Sequence, residues 1–136
     1  MAQMVMTNGG FKLATVDRST YAASIVVNYS AEAPEATTFG KTTKVKLAGV
    51  KDWNADVGIV NDVSAAAIDD ILFPLVGTLC AVEFYPNGTT ASADNPKYSG
   101  NAVLTGWQPL NASHGEVIKS TVHFEGSDTL TRGDPT

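Results

Sequence analysis

The sequence IKSTVHFE at residues 118–125 decides the fold of this 136-residue chain. Its side chains alternate between apolar or small residues and polar residues. Such a period of two is typical of an antiparallel strand with one buried face. The pattern predicts a buried face formed by Ile118, Ser120, Val122 and Phe124, and an exposed face formed by Lys119, Thr121, His123 and Glu125.

The same strand pattern extends outward over most of the chain. Strands are predicted at residues 11–16, 21–29, 42–47, 52–61, 78–85, 98–107 and 116–125. In the strand at 52–61, the residues expected to face inward are Trp53, Ala55, Val57 and Ile59. The chain is therefore predicted to be mainly β, an antiparallel β-sandwich or small barrel with one α-helix packed on it.

The helix is predicted at residues 63–75, where the apolar period changes. Its apolar face has helical spacing and consists of Ile68, Ile71, Leu72 and Leu75. Asp62 or Ser64 is expected to cap its start, and Pro74 and Gly77 to end it. Asp69 and Asp70 are expected toward its C-terminal end, where the helix dipole disfavours acidic residues.

A chain of this length is expected to form one domain, residues 1–136. Within it, residues 1–10 are expected to be a flexible N-terminus, residues 30–41 a long loop and residues 127–136 a polar C-terminal tail. A loop as long as 30–41 in a compact domain is usually either functional or mobile.

Composition excludes several classes of protein. The net charge of −5 argues against a dedicated nucleic-acid binder, which needs a basic face. Cys80 is the single cysteine and lies in an apolar run, so it is expected to be a buried structural residue. The chain has no secretory signal pattern and no run of about 20 apolar residues, so we expect synthesis in the cytosol and no membrane insertion.

The motifs that could carry chemistry are incomplete. Residues 52–63 begin like a calcium loop, but Val57 and Val63 stand where that loop needs Gly and Glu. His114 and His123 have no metal-ligand spacing. Glu83, in an apolar strand, is the carboxylate whose surroundings hint at a raised pKa. We expect no catalytic residue, metal or cofactor.

A local excess of lysine has two possible explanations. The group comprises Lys41, Lys44, Lys46 and Lys51. These lysines either form a solvated strand edge that discourages wrong pairing, or meet Glu32 and Glu35 of a neighbouring subunit. The sequence leaves both open.

Several short segments carry a resemblance when they are read in order. They are NYSAE at 28–32, GVKDW at 49–53, LFPLVG at 72–77, FYPNG at 84–88, NPKYSGNA at 95–102 and VHFEG at 122–126. Together they resemble the tail tube (major tail) proteins of long-tailed bacteriophages, over most of the chain.

The resemblance implies a structural virion protein that polymerises into stacked sixfold rings, with a β-barrel around a channel that delivers DNA. It implies ring-stacking roles for Pro34, Glu35, Phe39 and Lys41. It also implies lumen-facing roles for Asp52, Asp56 and Glu125. The expected partners are other copies of the chain, the tape-measure protein and other tail proteins, with viral DNA passing through non-specifically. The protein would be assembled in the host cytoplasm and reside in the virion tail.

Two other classes remain as alternatives. A β-sandwich can also serve as a binding module, such as a capsid decoration or adhesion protein that engages its ligand through loops. An enzyme would need a convergent acid–base pair, which the sequence does not suggest.

Overall fold

The computed structural model describes residues 9–14, 16–61, 67–88, 91 and 95–133. Seven strands and one α-helix occur in this part of the chain. The strands are β1 (Gly10–Leu13), β2 (Val16–Asp17), β3 (Ala22–Ala31), β4 (Lys51–Val60), β5 (Leu79–Tyr85), β6 (Lys97–Gly106) and β7 (Lys119–Gly133), and the helix is α1 (Ile68–Leu75).

All seven strands form one antiparallel sheet in the order β2-β1-β5-β6-β7-β4-β3. The predicted fold class, mainly β with one helix, is confirmed. The described strands do not close into a barrel, because β2 and β3 remain separate edges. The barrel version of the prediction is therefore wrong, and a sandwich-like fold fits instead.

The single sheet makes its core by curling over itself. Phe11 on β1 and Phe124 on β7 are three strands apart, which in a flat sheet would separate them by about 14 Å. Their ring centroids are nevertheless 6.1 Å apart. The concave face therefore encloses the apolar side chains, and the two halves of the curled sheet act as the two layers of a sandwich.

The strand alternation read from the sequence agrees with burial. On β4, Trp53, Ala55, Val57 and Ile59 are buried, as predicted. On β7, the buried residues include Ser120, Val122 and Phe124. Cys80 is also buried, as predicted.

Helix α1 packs on the core through Ile68 and Leu72, so the predicted apolar face is confirmed. The expectation for Asp69 and Asp70 is wrong, because the helix begins at Ile68 and both carboxylates lie in its first turn. There the helix dipole favours negative charge. Pro74 lies inside the last turn of the helix and does not end it.

Other boundaries of strands and loops differ between the prediction and the structure. The polar tail expected at 127–136 is part of β7 as far as Gly133. Gly10 belongs to β1, whereas the rest of the expected flexible N-terminus up to residue 8 lies outside the described residues. The expected caps Asp62 and Ser64 lie outside them as well. The strand expected at 42–47 reduces to a single bridge at Lys46.

Candidate assembly surfaces

One edge of the sheet is long and open. Strand β3 has ten residues and pairs only with β4 among the described strands. Tyr29 and Val26 on it are about half exposed. The opposite edge is formed by β2, which has two residues. A long exposed edge strand presents unpaired backbone groups that can pair with another chain.

Alternation identifies which backbone groups of β3 face outward. The N–H of Glu32 donates to the carbonyl oxygen of Val50 at 3.0 Å, and Ser30 pairs with Asp52. Because the N–H groups of an antiparallel strand point alternately to its two sides, even-numbered residues bond to β4. The N–H groups that face the open edge therefore belong to Ile25, Val27, Tyr29 and Ala31.

Residues 32–50 form a two-stranded arm that continues β3 and β4 beyond the sheet, and we call this segment the arm. Backbone hydrogen bonds run along it from the Glu32–Val50 bond to Leu47 N–H on Pro34 O at 2.9 Å and Ala36 N–H on Val45 O at 2.7 Å. The predicted long loop at 30–41 is therefore one half of an ordered ribbon, and Ala31 still belongs to β3.

The four ring-stacking candidates all lie on this arm and are exposed. Pro34 and Glu35 belong to the paired part of the ribbon, because Glu35 bridges Lys46. Phe39 is fully exposed beside Gly40, whose φ of 88° makes the turn at the tip. Lys41 donates its N–H to Thr38 O at 3.4 Å. The geometry therefore places all four residues on one exposed ribbon.

One lysine of the arm forms an ion pair within the chain. Lys44 Nζ lies 3.8 Å from Glu35 Oε1, and both side chains are at least half exposed. A contact between the arm lysines and Glu35 of a neighbouring subunit would therefore compete with this intrachain ion pair. An exposed pair of this kind is worth about 1 kcal/mol or less, so it does not prevent exchange between subunits.

The convex face of the sheet carries the three lumen candidates. Asp56 and Glu125 lie on adjacent strands and are joined by His123, whose Nδ1 is 2.5 Å from Asp56 Oδ1 and whose Nε2 is 2.6 Å from Glu125 Oε1. Asp52 lies near the arm, where its Oδ1 accepts a hydrogen bond from Trp53 N–H. The structure thus brings two of the three candidates together.

His123 was not selected from the sequence as a partner of these carboxylates. The hydrogen bond that His123 donates to Asp56, and then the one it donates to Glu125, raise the pKa of His123, because both stabilise the imidazolium. The sequence could indicate the contact between His123 and Glu125, because residues two apart on a strand share a face. The register that sets Asp56 opposite His123 was not readable from the sequence.

An apolar cavity of about 450 Å³ lies between β3 and residues of β5, β6 and β7. Ile25, Val27 and Tyr29 line one side of it. Residues on the other side include Phe84, Tyr98 and Leu130, and Arg132 lies at its border. Among the residues that the structure describes, no acidic side chain lines this cavity, so these residues provide no acid–base pair.

The remaining titratable groups offer little chemistry. Glu83, singled out from the sequence, has its carboxylate 3.0 Å from Lys97 Nζ, and this contact raises the pKa of Lys97. Within the described ranges no group of three or more His, Cys, Asp or Glu residues has metal-binding geometry. In the same part of the chain, no helix is long and apolar enough to cross a membrane.

No protein-family model matches the chain, and no curated protein matches it in sequence. Solved structures do match. A chain from the virion of a native gene transfer agent particle superposes with a TM-score of 0.74 and 13% identity, over 96% of this chain and 99% of that one.

Two further assemblies contain similar chains. One is the tail of an empty gene transfer agent particle refined with C6 symmetry, with a TM-score of 0.65, 13% identity, and coverage of 83% of this chain and 82% of that one. The other is the sixfold-symmetrised baseplate of the anti-feeding prophage, with a TM-score of 0.64, 14% identity and 98% coverage of both chains. The chain therefore has a fold found in virion, tail and baseplate components of phage-like particles, which confirms at the level of fold its resemblance to phage tail tube proteins.

Proposed function

We propose that this chain is a structural protein of a phage-like virion tail, and that its copies polymerise into stacked rings that form the tail tube. The observation that carries the proposal is the combination of an open ten-residue edge strand, β3, with an ordered arm that leaves the body of the protein. The fold shared with sixfold tail and baseplate assemblies supports it.

Ring formation would satisfy the open edge. In this proposal the β3 edge of one copy pairs with the β2 side of the next copy. Because these two edges are different surfaces, the contact is heterologous. Heterologous contacts produce closed rings when the rotation between subunits closes. Six copies are the proposed number, by analogy with the two sixfold assemblies.

The arm would then connect one ring to the next. Its apolar and basic side chains lie outside the sheet, where contacts within the ring do not cover them. In this proposal Pro34, Glu35, Phe39 and Lys41 stack rings, and the face with Asp52, Asp56 and Glu125 lines the channel. An acidic wall would let DNA pass without binding.

The rest of the proposal concerns partners and place. The tape-measure protein would fill the channel before DNA does, other tail proteins would bind the tube ends, and assembly would occur in the host cytoplasm. The role is structural and requires no reaction or cofactor.

Electron microscopy of the purified chain tests the proposal, with sedimentation velocity as the solution measurement. Rings or tubes that appear as the protein concentration rises are the expected result. Particles that remain monomeric at high concentration and after addition of preformed tube fragments would contradict it.

A proline at the open edge tests the contact within a ring. Ala31→Pro removes an N–H that faces away from β4, so the monomer should keep its circular dichroism spectrum and thermal stability while ring formation weakens at least about tenfold. Ser30→Pro is the matched control, because its N–H faces β4 and its loss should destabilise the monomer itself. Normal rings from Ala31→Pro would argue against pairing at β3.

A further inference from the structure

The surface that receives the arm can be located on the other end of the same sheet. This inference rests on the proposed function, since it names the partner surface of the stacking arm. Strand β4 has the arm at its Lys51 end, and its Val60 end lies about 30 Å away, given ten residues of strand. Copies that stack in the same orientation along this direction bring the arm of one onto the Val60 end of the next.

The Val60 end is built by the segment from 107 to 118 and the first turn of α1. Asn61 N–H donates to Ile118 O at 2.9 Å, and Asn61 Nδ2 donates to Pro109 O at 2.9 Å and lies 3.5 Å from Asp69 Oδ1. A single asparagine thus holds the segment, β4 and α1 together. We call this surface the far end.

Both ends expose apolar side chains that their own chain does not cover. On the arm, Phe39 is fully exposed and Leu47 is 56% exposed. At the far end, Leu110 is 80% and Val117 is 61% exposed, within a run of exposed residues from 108 to 117. Apolar surface of this kind on two opposite ends marks a contact between copies more readily than isolated exposure does.

The charges of the two ends are opposite. The tip of the arm, residues 36–46, contains Lys41, Lys44 and Lys46 and no acidic residue, although Glu35 Oε1 just below the tip lies 3.8 Å from Lys44 Nζ. The far end carries Asp69, Asp70 and Glu116, together with one lysine, Lys119, which pairs with Val60 at the start of β7. Complementary charges orient a heterologous contact and set its register.

Buried polar atoms at the far end also lack partners. Asn61 Oδ1, Trp107 Nε1 and Ser120 Oγ have no hydrogen-bond partner among the described residues. Leaving such atoms unpaired costs free energy.

We propose that the far end, centred on Leu110 and Glu116, is the receptor for the arm tip of the next copy in the stack, with Phe39 packing on Leu110 and Val117. The contact repeats along the stack because donor and receptor are different surfaces of one chain. Such head-to-tail contacts propagate without an intrinsic end.

Cross-linking between separately labelled chains tests this contact. One population carries Phe39→Cys and the other Leu110→Cys, and both are co-assembled with wild-type chains, which keep tube formation possible, before treatment with a short thiol-specific cross-linker. Cys80 is buried and its burial raises the thiol pKa, so wild-type chains serve as the background control. A mixture of Phe39→Cys with Val26→Cys, in the middle of β3, is the positional control.

The expected result is a cross-linked dimer that forms in the Phe39→Cys and Leu110→Cys mixture of assembled tubes, and that is at least about tenfold weaker in either population alone. Tubes that form without this product, or that give the same yield with Val26→Cys, would overturn the receptor assignment and leave the proposed function standing. Absence of tubes from wild-type protein would overturn both.

Discussion

The imidazole of His123 joins two strands of the convex face, because its Nδ1 lies 2.5 Å from Asp56 Oδ1 on the neighbouring strand. Its Nε2 is simultaneously 2.6 Å from Glu125 Oε1. A neutral imidazole can donate only one hydrogen bond, whereas an imidazolium donates two. The geometry therefore favours the protonated form, which cancels one of the two negative charges at this position.

Replacing His123 should change stability in a pH-dependent way. The pKa of His123 is raised in the folded chain, so its contribution is complete below the ordinary histidine pKa of about 6.5 and is lost as pH rises through the higher folded value. His123→Gln should therefore lower the free energy of unfolding more at about pH 6 than at about pH 9, by up to roughly 1 kcal/mol, since the groups are partly exposed.

Chemical denaturation at the two pH values provides the measurement. The control is the same substitution in a chain that also carries Asp56→Asn and Glu125→Gln, where the effect of His123→Gln should no longer depend on pH. A pH dependence that persists in that background would assign the effect to other groups.

The contact between Trp53 and Gly126 should be intolerant of added volume. A Cβ at Gly126 would lie 2.4 Å from the indole ring, whose Nε1 donates to Asp128 O at 3.2 Å. Gly126→Ala should lower the free energy of unfolding by about 1–3 kcal/mol, because the ring has to move within the core. Gly106→Ala, where nothing lies within 4 Å of the added carbon, is the matched control and should be close to neutral.

Thermal unfolding of both variants distinguishes the outcomes. Equal destabilisation at the two glycines would show that the cost comes from the backbone and not from crowding of the indole.

The tip of the arm should matter for assembly and not for folding. Phe39 is fully exposed, so Phe39→Ala should leave the melting temperature unchanged. Burial of its ring in a contact between copies would be worth about 2 kcal/mol, so the concentration needed for tube formation should rise at least about tenfold. Thr42→Ala, an exposed change on the same arm, should leave that concentration as in wild type.

Light scattering against protein concentration measures this effect. Tubes of Phe39→Ala that form at the wild-type concentration would remove the arm tip from the stacking contact.

Exchanging the charges of the arm tip and the far end in one chain should restore assembly that either change alone weakens. Lys41→Glu and Glu116→Lys are each expected to weaken assembly about fivefold at low salt, as for an exposed ion pair worth about 1 kcal/mol. The chain with both changes should regain the part of the loss that comes from charge, because every contact in the stack then pairs the exchanged charges, whereas the hydrogen bond from Ser113 N–H to Glu116 Oε1 at 2.6 Å stays lost. All differences should shrink in high salt.

Sedimentation at two salt concentrations gives the comparison. Additive loss in the double variant would indicate that Lys41 and Glu116 do not meet.

The alternation along 118–125 was sufficient to identify the inward residues of β7, and the helical spacing of Ile68 and Leu72 was sufficient to identify the face of α1. These patterns are local, because a side chain's direction in a strand or helix follows from its backbone period. Boundaries were less predictable. The continuation of β7 to Gly133 depends on pairing with β6, which adds hydrogen bonds to a stretch whose side chains alone look like a polar tail.

The residues of the candidate site were predictable from the sequence, but the contacts between them were not. Asp52, Asp56 and Glu125 were readable as polar residues on outward strand faces, and Phe39 as the one large apolar side chain of a long loop. Their relation to His123 was not readable, because it depends on the register between β4 and β7. Likewise, the ribbon pairing that orders the arm joins Pro34 to Leu47 across the turn.

Local sequence pattern was sufficient for the strand and helix faces and for the residues buried on them, because each of these depends on neighbours along the chain. The tertiary structure was needed to show that one sheet curls into two layers, that β3 pairs on one side only among the described strands, and that the arm and the far end lie at opposite ends of β4. Those features arise from pairing between strands distant in sequence, and no local pattern specifies which strands become neighbours.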